Sequence, residues 1–267
     1  MDKTSLGDRM KKHENVYRQY LTPRMPVIIR VDGRSFSSYT KGFDRPFDFR
    51  IINAMVYAAN KVAEDIQGFQ VAYIQSDEAS FCFHDYTNLQ SEGWFGYNLN
   101  KIVSISASLM TIHFNAYIGK TVGRELDDTM SVIYDGDYKI ALFDSRAFNV
   151  PREEVSNYFL FRSKDNHRNS LSSYAQSIFS HKQLHKKNQN DIHEMLHEKG
   201  KNWTIDLKPV EKNGTFLIKD ENGAIQERTD IKDNYQEIAE VVDPLINPEY
   251  KPYRVFDINC TNTVQID

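Results

Sequence analysis

Two acidic clusters sit in apolar, β-prone surroundings. Asp32 closes the run MPVIIRV and is followed by Gly33, while Ser76, Asp77 and Glu78 interrupt VAYIQSDEASFCF. Carboxylates inside buried strands are costly unless something neutralises them. An Asp at a strand end can reach a cation while the sheet holds it rigid. A glycine beside it lets main-chain groups approach a phosphate or a metal closely. Taken singly, Asp-Gly is more often a plain turn and Ser-Asp-Glu an exposed hairpin tip. Taken together, a strand-end Asp and a hairpin-tip Asp on neighbouring strands can share divalent cations, as two-metal phosphoryl chemistry requires. Mg²⁺ suits such a site, because it accepts a few carboxylates and completes its shell with water and substrate phosphates.

A third constellation is FRSKDNHRNSLSSYAQSIFSHKQLHKK, residues 161–187. It carries Arg162, Lys164, Arg168, Lys182, Lys186 and Lys187 against the single acid Asp165, with His167, His181 and His185 and the rings of Tyr174 and Phe179. On a chain of net charge −4, this is the segment suited to a phosphate backbone or a triphosphate. The competing reading is a solvated helix face. A second motif, His193-Glu194-Met195-Leu196-His197, has the H-E-x-x-H form of zinc proteases. Ile192, Met195 and Leu196 make an apolar stripe there, and no third ligand is apparent for a zinc that needs three. It reads as an amphipathic helix.

The elements that must position these residues follow from periodicity. Apolar spacing predicts helices over 5–21, 49–66 and 97–118, and helical texture with breaks from Pro151 to Lys199. Strands are expected over 25–31, on either side of the 75–78 tip, and over 140–148. WTIDLKPV and TFLIKD read as further strand-like pieces, with Asn213-Gly214 and Asn222-Gly223 as turns. From Asp230 the chain is polar, Pro-containing and expected to pack loosely. The pattern is α+β: a mostly antiparallel sheet with helices on one face, plus helical and small β additions. Residues 1–219 form the expected catalytic domain and 220–267 an extension packed on it.

The chain has 267 residues, 40% hydrophobic and 26% charged, which is ample for a globular core. Its two cysteines, Cys82 and Cys260, support neither a disulfide framework nor a Cys-rich zinc site. No apolar run is expected to approach a membrane span in length and composition, and no leader pattern opens the chain, so a cytoplasmic setting without a membrane partner is expected.

With these residues in hand, the sequence resembles the tRNA-His guanylyltransferase family, the 3′-to-5′ nucleotide-adding polymerases. RVDGRSFSSYTKGFDRPFD is similar to that family's R-x-D-G-R-x-F segment and the loop after it, with Arg45 in place of a lysine. QSDEASF resembles its S-D-E motif, and NKIVSISAS, FDSRAFNVP, FRSKDNHRNSL, GKNWTI and NGTFLI follow in order. His167-Arg168-Asn169-Ser170-Leu171 departs from the H-I-N-N-L-Y segment of the eukaryotic enzymes. The chain therefore looks closer to the bacterial and archaeal branch, implicated in templated repair of 5′-truncated tRNAs.

The resemblance implies a polymerase-palm-like, ferredoxin-type fold, a homotetramer, and tRNA, ATP and GTP as partners. It implies two Mg²⁺ ions held by Asp32, the Gly33 carbonyl and Asp77, with Glu78 also needed for activity. Arg34, Ser35, Phe36 and Ser37, together with Ser76, would cradle the nucleotide. Lys41, Lys101, Arg146, Lys201 and Asn202 would serve it as well. Arg162, His167, Arg168, Asn169, Lys182, Lys186 and Lys187 would contact tRNA or a triphosphate. Two other functions fit a palm with paired aspartates: a nucleotide cyclase, and a non-catalytic RNA-binding module.

Overall fold

The computed structural model describes residues 5–87, 90–121 and 140–247; Cys260 and the end of the expected extension lie outside them. In chain order the elements are α1 (Ser5–Val16), β1 (Val27–Gly33), α2 (Phe36–Tyr39), α3 (Phe49–Asp65), β2 (Phe69–Gln75), β3 (Glu78–Phe83), α4 (Leu99–Thr121) and β4 (Phe143–Asn149). There follow α5 (Val155–Gln176), α6 (His181–Leu184), α7 (Gln189–Glu198), α8 (Trp203–Asp206), α9 (Pro209–Asn213), β5 (Thr215–Lys219), β6 (Ile225–Arg228) and α10 (Tyr235–Ile246).

All neighbouring strands pair antiparallel in one six-stranded sheet ordered β4-β1-β3-β2-β5-β6. Its first four strands, with α3 and α4 as crossovers, make the split βαβ arrangement of ferredoxin-like folds. β1 and β2 therefore run in the same direction, with β3 returning between them.

Alternation along β1 sorts its side chains to two cores. Val27, Ile29 and Val31 pack with Ala58, Val62, Ile102 and Phe114 of α3 and α4. Ile28 faces the other way, onto Val155 and Phe159 of α5 and Ile238, Val242 and Ile246 of α10. The helical additions thus cover the second face, where a single helical layer was expected. α3 starts at Asp48, whose carboxylate accepts from the Arg50 N–H; the Arg50 side chain holds that carboxyl down at about 2.

Four local expectations are corrected. α1 stops at Val16 instead of reaching residue 21. WTIDLKPV forms no strand: Asn202 caps α8 by accepting from Thr204 N–H, and Pro209 opens α9 at a position that needs no N–H donor. The stretch after Asp230 is not loose, since Ile238, Val242 and Ile246 recur every four residues and are fully buried. Finally, α4 is long and apolar enough to cross a membrane by length and composition. Its Ile102, Met110, Phe114 and Ile118 are instead buried against the sheet and α3.

The end of α10 is pinned to the sheet by His84 and Tyr86. His84 Nε2 lies 2.9 Å from the Leu245 carbonyl, and the Tyr86 hydroxyl donates to the Ile246 carbonyl at 2.6 Å. Facing a carbonyl, Nε2 carries the proton of the neutral ring. Burial lowers the His84 pKa to about 4. As pH falls, the unfolded chain takes up this proton near pH 6.5 and the folded protein only near 4. Stability is therefore complete above about pH 6.5 and declines below it, by about 3 kcal/mol in total. Urea denaturation at pH 7 and 4.5 should show a larger loss in the wild type than in His84→Gln, which keeps a donor without the titration.

Candidate active site at the corner of β1, β3 and β4

Parallel β1 and β2 end at the same edge of the sheet, and the Ser76-Asp77 turn lies there beside Asp32. Asp32 pairs in register with Glu78 on β3 and with Asp144 on β4. The Gly33 N–H donates to the Asp77 carbonyl at 3.0 Å, tying the end of β1 to the hairpin tip. Ser76 takes a left-handed conformation at φ 48, and its hydroxyl donates to Asp77 Oδ1 at 3.0 Å. Gly33 cannot carry a side chain, because a Cβ there would stand 2.4 Å from the Phe36 ring and 3.0 Å from Asp77 Cβ.

Burial pushes the Asp77 carboxyl above its ordinary range, and the charges of Asp32 and Glu78 push it further against the Ser76 hydrogen bond. Asp32 keeps a third of its side chain exposed, with Arg30 and Arg146 each 4.0 Å away. Arg146 also meets Asp144 at 3.2 Å. Two mutually repelling carboxylates beside a main-chain carbonyl form an all-oxygen donor set that a hard cation would relieve. Among the described residues no three acidic, histidine or cysteine side chains gather as a ready-made cage. Mg²⁺ needs none, since water and phosphate oxygens complete its octahedron. The residues fit the ion.

Glu78 stands apart from this pair. It is buried, and both its oxygens are taken by the Arg162 fork: Nε to Oε1 at 2.7 Å and Nη2 to Oε2 at 2.7 Å. Arg162 is only 6% exposed and also meets Asp165 at 3.0 Å. Its expected contact with tRNA or a triphosphate is therefore replaced by an internal ion pair. Phe36 likewise turns inward, its ring packed among Tyr39, Phe114 and Phe143, so only its main chain remains for a ligand.

Asp32, Gly33, Ser76, Asp77, Glu78 and Arg146 are thus brought to one corner. Arg34, Ser35 and Ser37 continue from it, exposed, into α2, with exposed Lys41 just beyond; Lys101 is exposed in the first turn of α4. The remaining expected residues belong to the α5–α8 cluster, built on Leu171, Tyr174, Leu196 and Trp203. There His167 packs on Trp203 and pairs with Asp233 at 3.2 Å. Arg168 pairs with Asp165, Asn202 spends its side-chain oxygen on the α8 cap, and Asn169, Lys182, Lys186, Lys187 and Lys201 are exposed. His193 packs edge-on to Trp203 while Ile192 and Leu196 are buried, the amphipathic arrangement expected of α7.

Arg30 and Asp144 were not anticipated. The signal was available for Arg30, which lies two residues before Asp32 on the same strand face. Asp144 required the β1–β4 register.

An antiparallel palm sheet that gathers two carboxylates from a strand end and a hairpin tip suits metal-assisted phosphoryl transfer, the chemistry of nucleotidyltransferases. The tRNA(His) guanylyltransferase family model matches residues 7–151. A bacterial tRNA(His) guanylyltransferase-like protein solved with ATP superposes at a TM-score of 0.80 with 37% identity, covering 91% of this chain and 99% of that one. The GTP complex of a bacterial protein so described superposes at 0.71 with 33% identity and the same coverage. The tRNA(His) guanylyltransferase of Schizosaccharomyces pombe is 31% identical over 165 residues, 61% of this chain and 56% of that enzyme. This chain spans about half the length of most curated tRNA(His) guanylyltransferases it matches. The chain belongs to the tRNA(His) guanylyltransferase family.

Proposed function

We propose that this protein adds nucleotides to the 5′ end of tRNA in the 3′-to-5′ direction, copying the opposite strand, as in repair of a 5′-truncated acceptor stem. The carrying observation is the convergence of Asp32, at the end of β1, and Asp77, in the β2–β3 turn, at one corner of the sheet, with Arg30 and Arg146 each 4.0 Å from Asp32. The ATP- and GTP-bound bacterial relatives support nucleoside triphosphates as ligands.

Activation consists of attack by the RNA 5′-monophosphate on the α-phosphorus of ATP, which expels pyrophosphate and leaves a 5′-adenylyl RNA. The 3′-hydroxyl of the incoming nucleotide then attacks the 5′-phosphate, losing its proton and expelling AMP; pyrophosphate is later removed from the new end. Asp32, Asp77 and the Gly33 carbonyl would hold Mg²⁺, two ions in this reading, which when bound lower the pKa of the attacking hydroxyl and screen phosphate charge. Arg146, Lys41 and Lys101 supply charge-assisted hydrogen bonds to triphosphate oxygens. The main chain of residues 34–37 and the Ser76 hydroxyl position the nucleotide. Exposed Arg168, Lys182, Lys186 and Lys187 offer the RNA backbone a cationic surface, whose contribution weakens with salt.

The test is extension of a 5′-labelled, 5′-truncated tRNA with Mg²⁺ and all four NTPs. The expected product has its missing nucleotides restored, with sequence changing when the opposite strand is changed. No extension, or a cyclic nucleotide made from ATP or GTP alone, would overturn the proposal.

A further inference from the structure

Beneath the aspartate pair lies a polar group that the proposed chemistry leaves unused. Glu78 follows Asp77 directly and opposes Asp32 in register. Its carboxylate nevertheless points away, into the interface between the sheet and α5, where Arg162 grips both oxygens at 2.7 Å. Gln75 Nε2 and Ser80 Oγ lie 3.5 Å from Oε1, and Arg30 Nε lies 3.6 Å from Oε2. Behind the guanidinium, Asp165 Oδ2 lies 3.0 Å from Nη2 as an ion pair, and Asp165 is itself held by Arg168.

We propose that Arg162 is a positioning residue: its fork keeps Glu78 out of the cation site and, through the adjoining peptide, holds Asp77 against Asp32. This deepens the proposed function and rests on it. Glu78 directly follows Asp77 and opposes Asp32 in register, and a buried carboxylate without a partner would compete for any cation brought to those two. A bidentate guanidinium neutralises the third one and fixes its direction, which a single ammonium would not. The tip's other ties, the Gly33 N–H to the Asp77 carbonyl and the local bond from the exposed Ser76 hydroxyl, pair no two full charges, whereas the Arg162 fork does. Arg162 comes from α5, whose Val155 and Phe159 are locked in the core. The tip is therefore referenced to a rigid helix.

The double variant Glu78→Gln/Arg162→Met tests this. It keeps the net charge of the pair and leaves no unpaired buried charge, the usual cause of unfolding when one partner is removed. Mn²⁺ affinity, measured by calorimetry with a non-hydrolysable ATP analogue, should fall about 10-fold or more because Asp77 is no longer held against Asp32. Nucleotide addition at saturating ATP should fall about 10- to 100-fold, the usual effect of losing a residue that orients metal ligands, with KM for ATP little changed. Arg162→Lys should recover only part of this rate. Glu78→Gln alone leaves Arg162 to hold the amide oxygen, and a Mn²⁺ affinity lowered there as far as in the double variant would make Glu78 a ligand and overturn the proposal. So would an unchanged kcat in the double variant with only its melting temperature lowered. If the wild type itself adds no nucleotide, the proposed function fails, while the Mn²⁺ measurement still decides whether Glu78 is a ligand.

Discussion

Asp77→Asn is expected to abolish nucleotide addition, by about three orders of magnitude or more, without destabilising the apoprotein. The rate loss follows from removing one of two carboxylates able to hold the cations. Their stabilisation of transition-state charge is worth several kcal/mol, and each 1.36 kcal/mol is about tenfold in rate. The stability result has the opposite sign. Burial, Asp32 and Glu78 all oppose the charged form of Asp77, so an amide of the same shape relieves strain when no cation is bound. Melting curves with and without Mg²⁺ and ATP separate the two effects. The variant should melt at or above the wild type when bare and gain less on adding both ligands. A variant that melts lower when bare and keeps substantial activity would show that Asp77 is a structural residue.

Gly33→Ala is expected to reduce activity about 100-fold and to lower stability by about 1–3 kcal/mol, the range for overpacking a filled site. The added methyl would meet the Phe36 ring at 2.4 Å and Asp77 Cβ at 3.0 Å. Neither neighbour yields easily. The Phe36 ring is packed between Tyr39, Phe114 and Phe143, and Asp77 is tied to Gly33 itself through the main chain. The methyl must therefore push the β1 end and the hairpin tip apart, and a displacement of about 1 Å costs about 100-fold in a positioned reaction. Gly42→Ala provides the contrast, since nothing lies within 4 Å of a Cβ there. Only its positive φ opposes the change, at a cost of about 1 kcal/mol, and activity should survive. Single-turnover rates and urea denaturation of the two variants measure this difference.

Both effects depend on a corner where three strands and a helix meet, and the parts of that corner differ in how they can be known. The sequence by itself determined the two acidic motifs, the hairpin that presents Asp77, the crossover helices α3 and α4, and the family to which their order points. These are local matters: an apolar period, a Gly after a strand, a polar break between two β-prone runs. It also marked the apolar stripe of α7, because Ile192 and Leu196 lie four residues apart on one helix face.

Only the tertiary structure decided the rest. Glu78 and Arg162 are 84 residues apart in the chain, and nothing in either neighbourhood tells that a guanidinium from a basic-looking segment is buried on an acid of the hairpin. Side-chain charge announces a surface role unless a partner removes it from water, and the partner is known only once α5 is laid on the sheet. Asp144 reached Asp32 for the same reason, through a strand register. The strand expectation for WTIDLKPV failed because capping by Asn202 and the fixed φ of Pro209 outweighed its β-prone residues, whereas α10 was overlooked because its stripe of Ile238, Val242 and Ile246 is diluted by acids. Periodicity and motif chemistry act within a few residues and can be read along the chain. Burial and pairing are properties of contacts between distant segments, and they exist only in the folded molecule.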